Sequence, residues 1–251
     1  MLGTTVGARQ PHTENATDPF WDQVVLLAKA NETQAYDASG NNVWFSNALG
    51  YQPSPTAGQF GERALLFTAG KLLRFGQESA ASAEVVRAAL ATRVWTIDFW
   101  ATRSTNGDPD AAVFCLASGT TGQYTAGVFC AGNDGSDPYA NRWYASGYYM
   151  EVETGTRLAA ATTTAVDVAD YIRICRDGNE MWLYRNGVRE AQLTFTGAWL
   201  ESPSDIAYNI GLAPWSGGQF LGTLQDFRIT ARVRSRGATH VVPTAAAPTT
   251  A

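Results

Sequence analysis

The chain has little of the chemistry on which many enzymes depend. Histidine occurs only twice in 251 residues, as His12 and His240. A Ser-His-Asp or Cys-His mechanism needs a histidine base beside its nucleophile, so the body of the chain between these two positions cannot carry either one. Zinc sites built on histidine are excluded there on the same ground.

Cysteine is also scarce. Cys115, Cys130 and Cys175 lie far apart, match no metal-binding spacing and are odd in number, which argues against a disulfide framework. Each stands in an apolar run. We therefore expect buried free thiols and folding in a reducing cytoplasm.

Charge and long apolar runs are sparse as well. Charged residues make up 16% of the chain and the formal net charge is −5, so no basic field is available to attract nucleic acid. No apolar run approaches the roughly 20 residues of a membrane span, and residues 1–10 lack the apolar core of a signal peptide. We expect neither a nucleic-acid nor a membrane partner.

What the chain does have is a series of short apolar runs separated by Gly, Asn, Asp, Ser and Pro. Asp177-Gly178 and Asn186-Gly187 are strong hairpin signals, because glycine tolerates the positive φ of tight turns. The runs predict strands at residues 24–28, 43–46, 64–67, 72–75, 94–102, 113–117, 124–130, 148–153, 172–176, 181–185, 207–212 and 222–230. This spacing predicts an all-β fold, a two-sheet antiparallel jelly-roll sandwich.

One segment departs from the strand pattern. Residues 80–91, AASAEVVRAALA, place apolar residues at helical spacing among good helix formers. They predict a surface helix or a loop over the edge of the sandwich.

The two ends differ from the body of the chain. Residues 1–17 are polar and residues 237–251 are rich in Pro, Ala and Thr. We expect flexible arms around a single domain at residues 18–236; the arms are either disordered or ordered only against a neighbouring subunit. A cluster near the second boundary predicts a solvated edge or a docking site for an acidic protein; its members are Arg228, Arg232, Arg234 and Arg236.

Six motifs, in order, resemble the concanavalin A-like jelly rolls of the laminin-G-like type, especially those of tailed-bacteriophage virion proteins. They cover residues 18–236 and are DPFWDQVVLLAKAN, DASGNNVWFSN, QFGERALLFTAG, RVWTIDFWATRS, YIRICRDGNEMWLYRNGV and FLGTLQDFRIT. The chain departs from the family at Ala169-Asp170-Tyr171, where a Trp-x-His pair is often found. No function that rests on that histidine is expected.

The resemblance implies a non-enzymatic structural protein of the virion, located there after synthesis in the host cytoplasm. It would be a capsid decoration or cement protein, or a tail accessory protein. Its expected partners are other virion proteins and further copies of the chain as a homo-oligomer or symmetric set, with host surface glycans as an added partner. A free carbohydrate-binding, lectin-like module is the alternative, and a degenerate glycan hydrolase comes third.

One segment, which leads from a loop into a predicted strand, concentrates aromatic and basic side chains. It contains Tyr139, Arg142, Trp143, Tyr144 and Tyr148. Aromatic faces stack on the C–H surfaces of sugars, and arginine satisfies their hydroxyl groups. Because the same composition marks protein interfaces and also fills cores, a glycan site, a protein interface and plain core all stay open.

Two acidic loops suggest calcium as the one candidate cofactor. Asp108 and Asp110 lie in the first loop and Asp134 and Asp137 in the second. Carboxylate oxygens from loops suit calcium, and the resemblance implies that such an ion would lie at the rim of the sandwich. The same residues are also ordinary turn formers.

Glycosidases use two carboxyl groups for catalysis, and one pair in this chain can be compared with them. On a strand, Glu151 and Glu153 would face the same way. The Glu-x-Asp-x-Glu pattern of related β-glucanases is not completed here. We expect a solvated strand face and no catalytic residue.

Overall fold

The computed structural model describes residues 18–45, 53–76, 80–104, 111–116, 126–130, 132, 138–201, 207–213 and 218–247. These segments form two antiparallel sheets with a continuous apolar core, which confirms the predicted all-β sandwich. Within them, no helix has both the length and the apolar character to cross a membrane.

The chain alternates short strands with few helices. A 3-10 helix covers Trp21–Gln23. The strands are β1 (Val24–Ala30), β2 (Ala35–Asp37), β3 (Ser54–Ala57), β4 (Arg63–Phe67), β5 (Leu73–Phe75), β6 (Val94–Arg103), β7 (Ala111–Leu116), β8 (Ala126–Cys130), β9 (Trp143–Gly147), β10 (Leu158–Ala159), β11 (Ala169–Asp177), β12 (Glu180–Arg185), β13 (Val188–Thr194), β14 (Tyr208–Ile210) and β15 (Gly222–Thr230); the α-helices are α1 (Ala80–Ala91) and α2 (Tyr148–Thr154).

The two sheets differ in size. The nine-stranded sheet has the order β13-β12-β11-β6-β15-β1-β2, with β4 also paired to β15 and β3 paired to β4. The six-stranded sheet has the order β10-β9-β8-β7-β14-β5. The predicted hairpins are confirmed, since Gly178 (φ 62°), Asn186 (φ 49°) and Gly187 (φ 83°) adopt the left-handed backbone that their turns require.

Strand β6 shows how one sequence pattern builds two buried layers. Trp95, Ile97 and Phe99 face the main core, as the period of two in a strand requires. The alternate residues Thr96 and Asp98 face the opposite side and are buried as well. Around β6, the nine-stranded sheet is therefore covered on both faces.

The predicted helix at residues 80–91 is confirmed as α1. Its buried residues Ala83, Val86, Ala89 and Leu90 join the main core. The three cysteines are also buried and free, as predicted. Burial raises the pKa of each thiol, to about 12 for Cys130, so these groups are chemically quiet.

Two predicted strands are wrong. Residues 148–153 lie in helix α2, which begins after the extended Gly147 and ends at Gly155. Gly155 adopts φ 67° and donates its N–H to the Glu151 carbonyl at 2.9 Å, a local arrangement that closes a helix. Residues 43–45 form no strand, and residue 46 lies outside the described residues. The predicted strands do not include β2, β3, β9, β10 or β13.

The last described segment, residues 237–247, packs against its own domain, and we call it the C-terminal strap. The His240 N–H donates to the Gly187 carbonyl at 2.8 Å, and Lys29 Nζ donates to the Ala247 carbonyl at 2.6 Å. This differs from the expected flexible arm, because the strap covers polar and aromatic side chains on the outer face of the nine-stranded sheet. The predicted arm at residues 1–17 lies outside the described residues.

A buried ion cluster lies on that outer face. Asp98 Oδ1 accepts hydrogen bonds from Arg228 Nε and Nη2 at 3.0 and 2.7 Å, and Arg173 Nε lies 3.5 Å from Asp98 Oδ2. Asp18 Oδ2 lies 2.6 Å from Arg228 Nη1 and 3.0 Å from Arg234 Nη1. Burial raises the pKa of Asp98, but the guanidinium groups of Arg228, Arg234 and Arg173 outweigh burial and hold it at about 2.

The cluster corrects the prediction for the four arginines near the end of the domain. Arg228 and Arg234 are internal counter-ions and do not form a solvated edge. Arg236 pairs with Asp177 at 2.6 Å, and the Arg232 guanidinium lies 5.2 Å from the centre of the Phe20 ring. Arg232 and Arg236 are exposed, so docking of an acidic partner at these two positions stays a prediction.

We predict that the protein loses stability in acid because Asp98 must take up a proton. Its pKa falls from 3.8 to about 2 on folding, so this contribution is present above pH 3.8 and is lost as the pH falls through 2. The loss is about 2 kcal/mol in the free energy of unfolding. Urea unfolding at a series of pH values measures it.

Asp98→Asn should remove this part of the pH dependence, at the cost of lower stability throughout. Asp177→Asn, at the half-exposed pair with Arg236, is the matched control and should keep it. An unchanged acid slope in Asp98→Asn would contradict the role of the cluster.

Candidate functional site

Of the predicted aromatic segment, Trp143 and Tyr144 lie on β9, and Trp143 faces inward. The Trp143 side chain is fully buried. Its Nε1 donates to Asp170 Oδ2 at 2.8 Å, and its ring packs edge-on against Phe99 with centroids 5.9 Å apart. A glycan cannot reach Trp143, so plain core is the alternative that holds for this residue.

Two of the predicted residues lie on the outer face of the six-stranded sheet. The Tyr144 ring stacks on Phe129, its cross-strand partner, with centroids 5.1 Å apart, and Tyr139 lies 6.0 Å from Tyr144. The Arg157 guanidinium lies 5.1 and 4.9 Å from the Tyr139 and Tyr144 ring centres. The stacked rings of Tyr144 and Phe129 are closed to a ligand, because both residues are buried.

The remaining members of that predicted site are only partly informative. Tyr139 and Arg142 are half-buried, so a glycan or protein interface at these two positions stays a prediction. The backbone of Tyr148 lies in α2, and its side chain is outside the described residues.

The acidic residues predicted for calcium are not among the described residues: Asp108, Asp110, Asp134 and Asp137 all lie outside them. Within the described segments, no three His, Cys, Asp or Glu side chains come together as metal ligands. A calcium site stays a prediction.

The carboxylate pair does not form. Residues two apart on a helix face different directions, and α2 sends Glu151 and Glu153 to different neighbours. Glu151 Oε1 accepts from Arg157 Nε at 3.1 Å. Glu153 accepts from the Thr196 hydroxyl and N–H, both at 2.7 Å, and these two hydrogen bonds lower its pKa. Both carboxylates therefore hold loops.

Sequence reasoning missed an exposed tryptophan. Val43 and Phe45 are 3% and 4% exposed, whereas Trp44 between them is 44% exposed. Successive side chains of an extended backbone point to opposite sides. Because Val43 and Phe45 are held in the core, and Phe45 packs edge-on against Phe75 at 5.9 Å, the indole of Trp44 is held outward.

A shallow cavity of about 260 Å³ lies beside this indole, at the edge of the nine-stranded sheet. We call it the Trp44 site; it is lined by Gln34, Ala35, Tyr36, Asp37, Asn42, Val43, Trp44 and Phe45. Gln34 and Asn42 are exposed and Tyr36 is half-buried. The site thus combines aromatic surface with amide groups that donate and accept hydrogen bonds.

Asp37 gives the Trp44 site its shape. Its Oδ1 accepts the N–H groups of Leu27 and Ser39 at 3.1 and 2.9 Å, and its Oδ2 accepts that of Val43 at 3.0 Å. The carboxylate therefore fixes the turn on β1 and leads the chain into residues 43–45. The motif DASGNNVWFSN is visible in the sequence, but the sequence does not show which of the side chains of Val43, Trp44 and Phe45 faces solvent.

We predict a large loss of stability when one tryptophan is removed and a small change when another is. Trp143→Ala should lower the free energy of unfolding by about 3–5 kcal/mol, because it empties part of the core and removes one of the four side-chain donors to Asp170. Trp44→Ala, the control, should change it by about 0.5 kcal/mol or less, as for an exposed side chain. Urea unfolding measures both; similar losses would contradict the assignment of core and surface.

Solved structures share this fold. The binding domain of Paraclostridial Mosquitocidal Protein 1 is 13% identical, with a TM-score of 0.59. The binding domain of botulinum neurotoxin DC in complex with rat synaptotagmin II is 12% identical, with a TM-score of 0.58. A structure of botulinum neurotoxin type C, whose cell entry depends on interaction with two ganglioside molecules, is also 12% identical, with a TM-score of 0.58.

These matches cover 86% of this chain in each case. This chain spans about half the length of the solved chains, at 50%, 49% and 50%. At such identities the likeness shows the fold alone.

No curated protein sequence matches the chain. A family model described as the concanavalin A-like lectin/glucanases superfamily matches residues 75–238, a span that runs from β5 across both sheets to the start of the C-terminal strap. The chain belongs to the concanavalin A-like lectin/glucanase superfamily.

Proposed function

We propose that this chain is a non-enzymatic, lectin-like module that binds carbohydrate at the Trp44 site. The observation that carries the proposal is the outward indole of Trp44, 44% exposed beside a cavity with amide side chains. The electron-rich face of an indole attracts the C–H groups of a sugar ring.

The polar groups of the Trp44 site suit a neutral glycan. Gln34 and Asn42 each offer an amide that can donate to and accept from hydroxyl groups. The Asp37 carboxylate is already occupied by three backbone N–H groups. The cavity is smaller than the roughly 300–1,000 Å³ of pockets for drug-sized ligands, which favours one sugar residue of a longer glycan.

Ordering the Trp44 site for a ligand requires little loss of conformational entropy. Val43 and Phe45 are fixed in the core on either side of Trp44, so the backbone of the site is held before a ligand arrives. A preorganised site loses less conformational entropy on binding.

The comparisons support the ligand class and not the residues. The superfamily includes lectins by its description, and one solved relative by fold is a toxin that interacts with gangliosides. Trp44 lies outside the matched residues 75–238, so the proposed site is argued from this structure alone. Glu151 and Glu153 are bound to different neighbours, Arg157 and Thr196, which supports binding over glycan hydrolysis.

A structural role in a phage virion, on the capsid or the tail, is a second candidate. It is supported by the six motifs that resemble those of virion proteins, and by Trp44, since exposed tryptophans are also hot spots of protein interfaces. Mass spectrometry of purified particles tests it: the protein should be found in the particles, and its absence would contradict this role.

We predict that a glycan array detects binding by the intact chain and that Trp44→Ala weakens it by about tenfold or more, equivalent to ~1.4 kcal/mol of lost stacking. Val168→Ala is the matched control, because Val168 is similarly exposed at 48% and does not line the Trp44 site. It should leave binding unchanged.

Tyr139→Ala separates this site from the one suggested by the sequence. Binding that survives Trp44→Ala but is lost in Tyr139→Ala would move the site to the outer face of the six-stranded sheet. No binding by the intact chain to any glycan would contradict the proposed function.

A further inference from the structure

A larger cavity lies beneath the C-terminal strap. Its volume is about 470 Å³. On the side of the nine-stranded sheet it is lined by Asp98, Trp100, Tyr171, Arg228 and Arg234, and residues 241–247 close the opposite side. The volume lies in the roughly 300–1,000 Å³ range of ligand pockets.

The strap is attached at its two ends and bridges the cavity between them. At one end, the His240 N–H binds the Gly187 carbonyl at 2.8 Å. At the other, the Ala247 N–H and carbonyl bind Asp226 and Lys29, both at 2.6 Å. Among the hydrogen bonds of the described residues, none joins residues 241–246 to the sheet. The middle of the strap can therefore lift without breaking hydrogen bonds to the sheet.

Buried polar atoms on the lining residues have no hydrogen-bond partner within the described part of the chain: they include Asp98 Oδ2, Trp100 Nε1 and Arg234 Nε. Asp98 is only 1% exposed, although its Oδ2 lies near the Arg173 guanidinium. Because most buried polar atoms in native proteins are paired, these atoms point to an occupant that is itself polar.

The chemistry of this lining selects the class of occupant. Asp98 Oδ2 can accept a further hydrogen bond, since Arg173 Nε is 3.5 Å away, and the indole and guanidinium N–H groups need acceptors. A hydroxyl group supplies both. Each charged side chain of the lining has a counter-ion: Asp18 and Asp98 pair with Arg228 and Arg234, and Asp226 pairs with Lys29. No unpaired charge therefore calls for an ionic ligand. The rings of Trp100 and Tyr171 supply apolar surface beside these groups.

We propose that the cavity beneath the C-terminal strap is a second binding site, for a neutral polyhydroxylated ligand of one or two sugar residues. The ligand enters when the middle of the strap lifts. This site shares a ligand class with the Trp44 site but none of its residues, so either proposal can fail alone.

The indole N–H signals of the intact, 15N-labelled chain test the proposal. The chain has 8 tryptophans, and the signals of interest are assigned from their loss in Trp44→Phe, Trp100→Phe and Trp182→Phe. The probes are glucose, galactose, mannose, N-acetylglucosamine and lactose. We expect the Trp100 signal to shift and saturate with at least one of them, and the Trp182 signal to stay in place.

Trp182 is the matched control. Its Nε1 is also buried without a hydrogen-bond partner, it lies on the same sheet, and it does not line the cavity. Trp100→Phe should raise the dissociation constant about tenfold through loss of one hydrogen bond, and Trp182→Phe should leave it unchanged.

Each other outcome overturns the proposal. If no indole signal moves, or only that of Trp44 moves, the cavity holds solvent alone. If the Trp100 and Trp182 signals move together, the sheet responds as a whole and no ligand occupies the cavity. If Trp100→Phe and Trp182→Phe weaken binding equally, the effect is one of stability.

Discussion

The row of charges formed by Arg173, Asp98 and Arg228 holds together parts of the molecule that are far apart in the chain. Asp98 is the register partner of Arg173 on β11 and of Arg228 on β15, so the three side chains lie side by side across three central strands. Asp18 extends the row to the start of the described domain. A slip of one residue would turn Asp98 into the apolar core, which makes the register strongly determined.

The same row explains why the outer face of the nine-stranded sheet is covered. Buried charges are tolerated where they are paired, and cover excludes the water that would otherwise screen them. The C-terminal strap supplies part of that cover, with the His240 ring packed against Tyr171 and Tyr184 at centroid distances of 5.7 and 5.2 Å. The strap and the charge row are therefore parts of one layer. The cavity lies between them, where the strap is not in contact with the sheet.

The sequence correctly predicted those parts of the fold that are determined by residues close together in the chain. The turns at Gly178 and Gly187, the alternation along β6 and the helix at residues 80–91 need no knowledge of the rest of the chain. Features decided by distant contacts could not be predicted. Trp143 is turned inward by Asp170, 27 positions further along the chain, and Arg228 by Asp98, 130 positions away. Residues 148–153 have a composition that fits a strand, yet Gly147 and Gly155 bound a helix there.

The same distinction between nearby and distant contacts applies to the functional site. The sequence located aromatic residues, but only the structure shows which of them face solvent, and this moves attention from Trp143 to Trp44. The most direct measurement is a crystal structure of the intact chain with the glycan that it binds most tightly. We expect a sugar ring packed on the exposed face of Trp44, with hydroxyl groups within hydrogen-bond distance of Gln34 or Asn42. A sugar bound elsewhere with Trp44 bare, or Trp44 covered by a second copy of the chain, would contradict it.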